Sequence, residues 1–117
     1  MKKENDMSDI KWAFIFHSEG SDSRENRFVV NGDGVSAHLV AVPDNATAIS
    51  VAKELVDQGI QFIELCGSFI KTPEIVDQLL DATSNKIAVG IVGFRGSSGD
   101  KVADLFKKQA ASRAMGG

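Results

Sequence analysis

The sequence predicts a single small α/β domain built on a mainly parallel sheet of four strands, with a β-hairpin in its first crossover and three helices. Three observations lead there. Apolar runs at 11–16, 35–42, 60–66 and 87–94 have the length and composition of strands. Stretches of helical period follow the second, third and fourth of them. Strands alternating with helices of about 10–15 residues are the pattern of parallel sheets. Two arrangements fit: an open flavodoxin-like sheet, or a half-barrel of four consecutive units whose free edges need a partner chain.

Residues 1–9 are polar and read as a flexible N-terminus, before a domain over 10–111 and a flexible tail over 112–117. Lys11-Trp12-Ala13-Phe14-Ile15-Phe16 is a buried first strand that ends at His17-Ser18-Glu19-Gly20. Arg27–Val30 and Val35–Val42 flank Asn31-Gly32-Asp33-Gly34, and Asn-Gly and Asp-Gly between β-type runs signal a hairpin. Pro43-Asp44-Asn45 ends the second main strand, and Asp44 or Asn45 caps the next helix. In that helix Ala48, Val51, Ala52 and Leu55 form an i, i+3, i+4, i+7 stripe, and Gly59 closes it. The third strand, 60–66, follows at once. Thr72 and Pro73 open a helix over 73–83 with Ile75, Val76, Leu79 and Leu80 on its apolar face. The strand at 87–94 is apolar throughout, which predicts a central place or cover on both faces. A last helix, near 99–111, is expected to bury Val102, Leu105 and Phe106.

Composition excludes several function classes. The 117 residues are 43% hydrophobic, enough for one packed core. A formal charge of −3 with no basic face argues against nucleic acid. No run approaches the roughly 18 apolar residues of a membrane span, and Met1-Lys2-Lys3-Glu4 has no apolar core behind it to make a signal peptide. Cys66 is the single cysteine, which rules out an internal disulfide and suits a cytoplasmic location. Two histidines about 20 residues apart, with scattered carboxylates, have no metal-ligand spacing, so no metal site is expected. Nothing in the sequence points to a particular cofactor.

The chemistry-bearing residue that stands out is Glu64, inside the apolar run Ile60–Gly67. A carboxylate in a buried strand is costly unless paired, hydrogen-bonded or protonated. Alternation puts Phe62, Glu64 and Cys66 on one face of that strand. His17 lies just past the first strand and Arg95 just past the fourth, so a parallel sheet gathers all four at its carboxyl edge. Glu64 and His17 make a candidate acid/base pair there, Cys66 a thiol and Arg95 an anion clamp. The competing reading ties Glu64 to Arg95 or to a backbone amide, makes Cys66 a small core residue, and uses Gly67 for a tight turn or the close approach of a ligand. Gly93-Phe94-Arg95-Gly96-Ser97-Ser98-Gly99 leads into a helix and offers amides and hydroxyls to an anion. It matches neither the Walker pattern nor the dinucleotide fingerprint, and its alternative role is a capped helix start on Ser97, Ser98 or Asp100. The chain has no Gly-x-Ser-x-Gly elbow. Trp12 and the phenylalanines read as core.

At Lys11–Phe16, Val40–Asp44 leading into Ala48–Val56, Gly59–Phe69 and Val89–Phe94 the chain resembles a family of small bacterial α/β proteins, domain-of-unknown-function family 6506. Ile63-Glu64-Leu65-Cys66-Gly67 is the most specific part of the likeness. The resemblance implies an α/β fold and no substrate, cofactor or catalytic residue.

Three functions are therefore in view. The first is binding of a small anionic metabolite at the strand carboxyl ends, by Cys66, Gly67, Arg95, Gly96, Ser97 and Ser98. The second is an isomerase- or lyase-like enzyme using Glu64 and His17. The third is a homo-oligomeric interaction module; the small size makes a homo-oligomer the expectation under all three.

Overall fold

The computed structural model describes residues 9–67 and 74–116. Their elements run β1 (Ile10–His17), β2 (Arg27–Asn31), β3 (Val35–Val42), α1 (Asn45–Asp57), β4 (Phe62–Cys66), α2 (Ile75–Ala82), β5 (Ala88–Val92) and α3 (Ser97–Ala114). The α/β class, the hairpin in the first crossover and the helix number agree with the sequence.

The sheet has five strands in the order β2-β3-β1-β4-β5. β1 pairs in parallel with β3 and β4, and β4 with β5. β2 joins the edge antiparallel to β3, so the sheet is mixed and five-stranded instead of a parallel sheet of four. The hairpin turn explains the extra strand. Gly32-Asp33-Gly34 is a three-residue loop with Gly34 at φ +80°, which folds β2 back into hydrogen-bonding range of β3. The half-barrel is excluded because it needs sequential strand order, whereas the parallel strands here run β3-β1-β4-β5. That is the order of open doubly wound sheets.

The core lies on one side of this sheet. Ala13, Ile15, Val40, Val42, Ile63 and Leu65 point to it from the strands. Ala48, Val51, Ala52 and Leu55 of α1, the predicted stripe, meet them with Ile75 and Leu79 of α2. Each fully buried aliphatic side chain contributes about 1.5–3 kcal/mol, so this layer holds most of the fold. Asp44 caps α1 by accepting from the Thr47 amide at 2.8 Å, and Gly59, at φ +99°, ends it. Arg27 of β2 bridges to Glu54 of α1 at 2.8 Å and ties the hairpin to the helix layer. The Thr72-Pro73 helix start lies outside the described residues; α2 is helical from Ile75.

Three expectations fail, and for one reason. β5 is an edge strand with most of its residues exposed, not a central one. α3 buries none of its residues, although Val102, Leu105 and Phe106 were expected inside. Trp12 and the phenylalanines of β1 and β4 are only half-buried, and Phe28 is 70% exposed, so they are not interior core. The second face of the sheet has no described helix packed on it. α3 projects away instead, and the molecule is 55 Å long with a Cα radius of gyration of 16.2 Å, where a compact chain of this length has about 13 Å. The helix also continues to Ala114, into the segment expected to be a loose tail.

Candidate functional site

Two of the singled-out residues, Glu64 and Cys66, lie on the sheet face that no described helix covers. Strand alternation and register put Trp12, Phe14 and Phe16 of β1 on it, with Leu39 of β3, Phe62 and Glu64 of β4, and Phe28 of β2. The Trp12 and Phe62 rings stack with centroids 5.5 Å apart and planes 12° apart. Phe14 and Phe16 lie 6.1 Å apart, tilted by 30°. Glu64 stands opposite Phe14 on one side and Gly90 on the other. It is the one charged side chain that the described strands present on this face. Among the described residues it has no hydrogen-bond or ion-pair partner, so the tie to Arg95 or to a backbone amide is not found there. Its carboxylate is tolerated because the face is open and the group keeps contact with water.

His17 does not join it. It follows Ala13 and Ile15 on the opposite, helix-covered face, so Glu64 and His17 point to different sides of the sheet. Its charge instead acts on Asp44. Hydrogen bonds from Thr47, helped by His17, hold the Asp44 carboxyl below the usual carboxylate range. The proposed acid/base pair is thus separated by the sheet itself. Cys66 is two residues beyond Glu64 on the open face, half-buried and free. His38, on the covered face, is held below the ordinary histidine value by burial first, then by the charges of Arg27 and Lys11.

At the carboxyl ends of β4 and β5 a groove of about 410 Å³ is lined by Gly67, Ile91, Gly93, Phe94, Val102 and Phe106, with Gly99 and Ala103. Its walls carry no charged side chain, and Arg95, Ser97 and Ser98 are exposed outside it. Gly96, at φ 56° and ψ −136°, is the residue before α3, and no side chain caps the helix. Ser97 and Ser98 are already helical, so the capping role expected of Ser97, Ser98 or Asp100 is not taken up. Gly67 is small for a packing reason: a Cβ there would lie 2.8 Å from Ile91 Cγ2 and 2.9 Å from the Val92 carbonyl oxygen. No group of three His, Cys, Asp or Glu side chains among the described residues is arranged to hold a metal ion. No described helix is long and apolar enough to cross a membrane.

Sequence reasoning missed the open face, though a signal for it was present. In a doubly wound sheet the connection from β1 to β3 and the connections onward to β4 and β5 run in opposite directions. Right-handed crossovers then place their helices on opposite faces. Here the first connection is a hairpin with no helix to lay on its face.

A family model described as "Family of unknown function (DUF6506)" matches residues 10–107. No curated protein and no solved structure matches the chain.

Proposed function

We propose, for a chain that belongs to the family of unknown function DUF6506 and inherits no substrate from it, that it works as a protein-interaction module whose contact surface is the open sheet face. One observation carries this reading: an aromatic sheet face with no described helix over it, together with a last helix, Ser97–Ala114, none of whose residues is buried. Apolar surface of this kind, here half-buried Trp12, Phe14, Phe16 and Phe62 with exposed Phe28, is characteristic of protein association and other contact sites. Aromatic side chains are also the residues that dominate interface energetics. A cytoplasmic setting belongs to the proposal, and the lone free thiol supports it.

Small-molecule binding is the second reading, favoured by the groove at the carboxyl ends of β4 and β5. Its walls suit an apolar group better than the anion expected from Arg95. Acid/base catalysis by Glu64 and His17 has less support, because the two residues occupy opposite faces.

Site-specific photo-cross-linking in cells tests the module. A photoreactive residue at Phe28, on the open face, should trap a protein partner in discrete adducts. The same residue at Lys53, exposed on α1, should not. Absence of adducts from position 28, or equal yields from the two positions, sinks the reading.

A further inference from the structure

We propose that two copies of this chain pair edge to edge through β2, antiparallel about a two-fold axis at Val29, so that two five-stranded sheets become one of ten. The surface is the edge of the sheet and not its open face, and the inference stands whether or not that face binds a partner.

The ladder to β3 fixes which backbone groups of β2 are already bonded. The Gly32 amide donates to the Val35 carbonyl, and the Ala41 amide to the Asn26 carbonyl. Both pairs keep the register that sets Phe28 opposite Leu39 and Val30 opposite Ala37. Hydrogen-bonded pairs alternate along an antiparallel ladder. Asn26, Phe28, Val30 and Gly32 therefore turn their backbone groups to β3, and Arg27, Val29 and Asn31 turn theirs outward. Those outward amides and carbonyls have no backbone partner among the described residues.

The side chains mark the same edge. Phe28, Val29 and Val30 are consecutive, apolar and 70, 49 and 55% exposed, a run that is out of place on a surface unless it serves a contact. Phe28 and Val30 lie on the open face and Val29 on the helix side. A partner on one face alone would leave part of the run exposed, whereas a strand laid along the edge meets both sides. β2 also lacks the Lys or Pro that commonly blunts an edge. Its one charged residue, Arg27, is turned back to Glu54 of α1. The far edge differs, because α3 shares a groove with the end of β5.

A second copy fits because β2 is complementary to itself. With the axis at Val29, each Val29 meets the partner's Val29, and Arg27 meets the partner's Asn31. Every outward amide then finds an outward carbonyl, and neither strand overhangs the other. On the open side Phe28 meets the partner's Val30 in a non-hydrogen-bonded pair, where side chains come closest. Aromatic and β-branched residues are favourable neighbours there. Arg27 faces a neutral amide, whereas a parallel copy in register would set guanidinium against guanidinium. The axis is perpendicular to the sheet, so the two open faces lie on the same side and adjoin. A contact of one short strand is small, which predicts a weak dimer with a dissociation constant of roughly 10–200 μM.

Sedimentation velocity of the full chain from about 1 to 500 μM tests this, with Val29→Pro and Val29→Lys beside the wild type. The wild type should dimerise. The Val29 amide points outward, so Val29→Pro takes no bond from the chain's own ladder, and it removes both bonds at the axis of the dimer. Val29→Lys sets like charges opposite each other there, and serves if the proline variant does not fold. Each should raise the dissociation constant at least about tenfold. Val29→Cys in a Cys66→Ser background reads the register. Cα atoms of a hydrogen-bonded pair lie about 5.5 Å apart, within disulfide reach. Mild oxidation should therefore link Val29→Cys chains much faster than Lys53→Cys chains, whose residue is exposed on α1. A wild-type monomer at about 500 μM overturns the proposal and leaves the edge to a strand of another protein. So does a dimer that both Val29 variants leave unchanged, or one in which Val29→Cys chains link no faster than Lys53→Cys chains.

Discussion

A methyl group at position 67 has no room, since Ile91 Cγ2 and the Val92 carbonyl oxygen already occupy the space beside Gly67. Gly67→Ala should therefore destabilise the fold by about 1–3 kcal/mol, read by urea denaturation. Ile91→Ala in the same chain should return only part of it, because the Val92 oxygen belongs to backbone and stays in place. A full return would show that the backbone contact is soft. His38 makes a prediction in pH. Burial, then the charges of Arg27 and Lys11, lower its proton affinity in the fold, so the unfolded chain protonates first as pH falls. The His38 contribution is complete above the unfolded value, about 6.5, and is lost progressively as pH drops from there through the lower folded value. The thermal midpoint should fall between about pH 7.5 and 5.5, and His38→Gln should flatten that slope; an unchanged slope would place the titration elsewhere. Glu64 shows how far sequence reached at this scale. Its place on a strand beside Phe62 and Cys66 followed from alternation. Its surroundings did not, because whether a face is covered depends on elements distant in sequence.

Among the elements, α1 is the most completely legible. Its stripe Ala48, Val51, Ala52 and Leu55 is buried as predicted, and Asp44 caps it through the Thr47 amide. Local chemistry decides both features. Asp44→Ala should lower the thermal midpoint while Asp44→Asn, an equally good acceptor, retains most of it. The carboxylate's share should be present above its ordinary range and vanish as pH falls through the depressed folded value; equal losses in the two variants would remove the cap from the account. The hairpin was legible for a similar reason, since Gly34 at φ +80° belongs to a local turn. β5 and α3 were misjudged. An apolar run reads the same at the centre of a sheet and at its edge, and a helical stripe reads the same against its own core and against another chain.

For the whole molecule, the sequence by itself determined the class, the helices with the apolar stripes of α1 and α2, and the hairpin in the first crossover. Periodicity, caps and turn residues act over a few positions and leave their mark in the chain. Only the tertiary structure decided the strand order, the fifth strand, the separation of His17 from Glu64 by the sheet, and the aromatic face that no described helix covers. These depend on which strand lies beside which, and on where a helix goes after leaving the sheet. Such choices are made by contacts between residues far apart in sequence, which hydrophobic spacing alone does not encode.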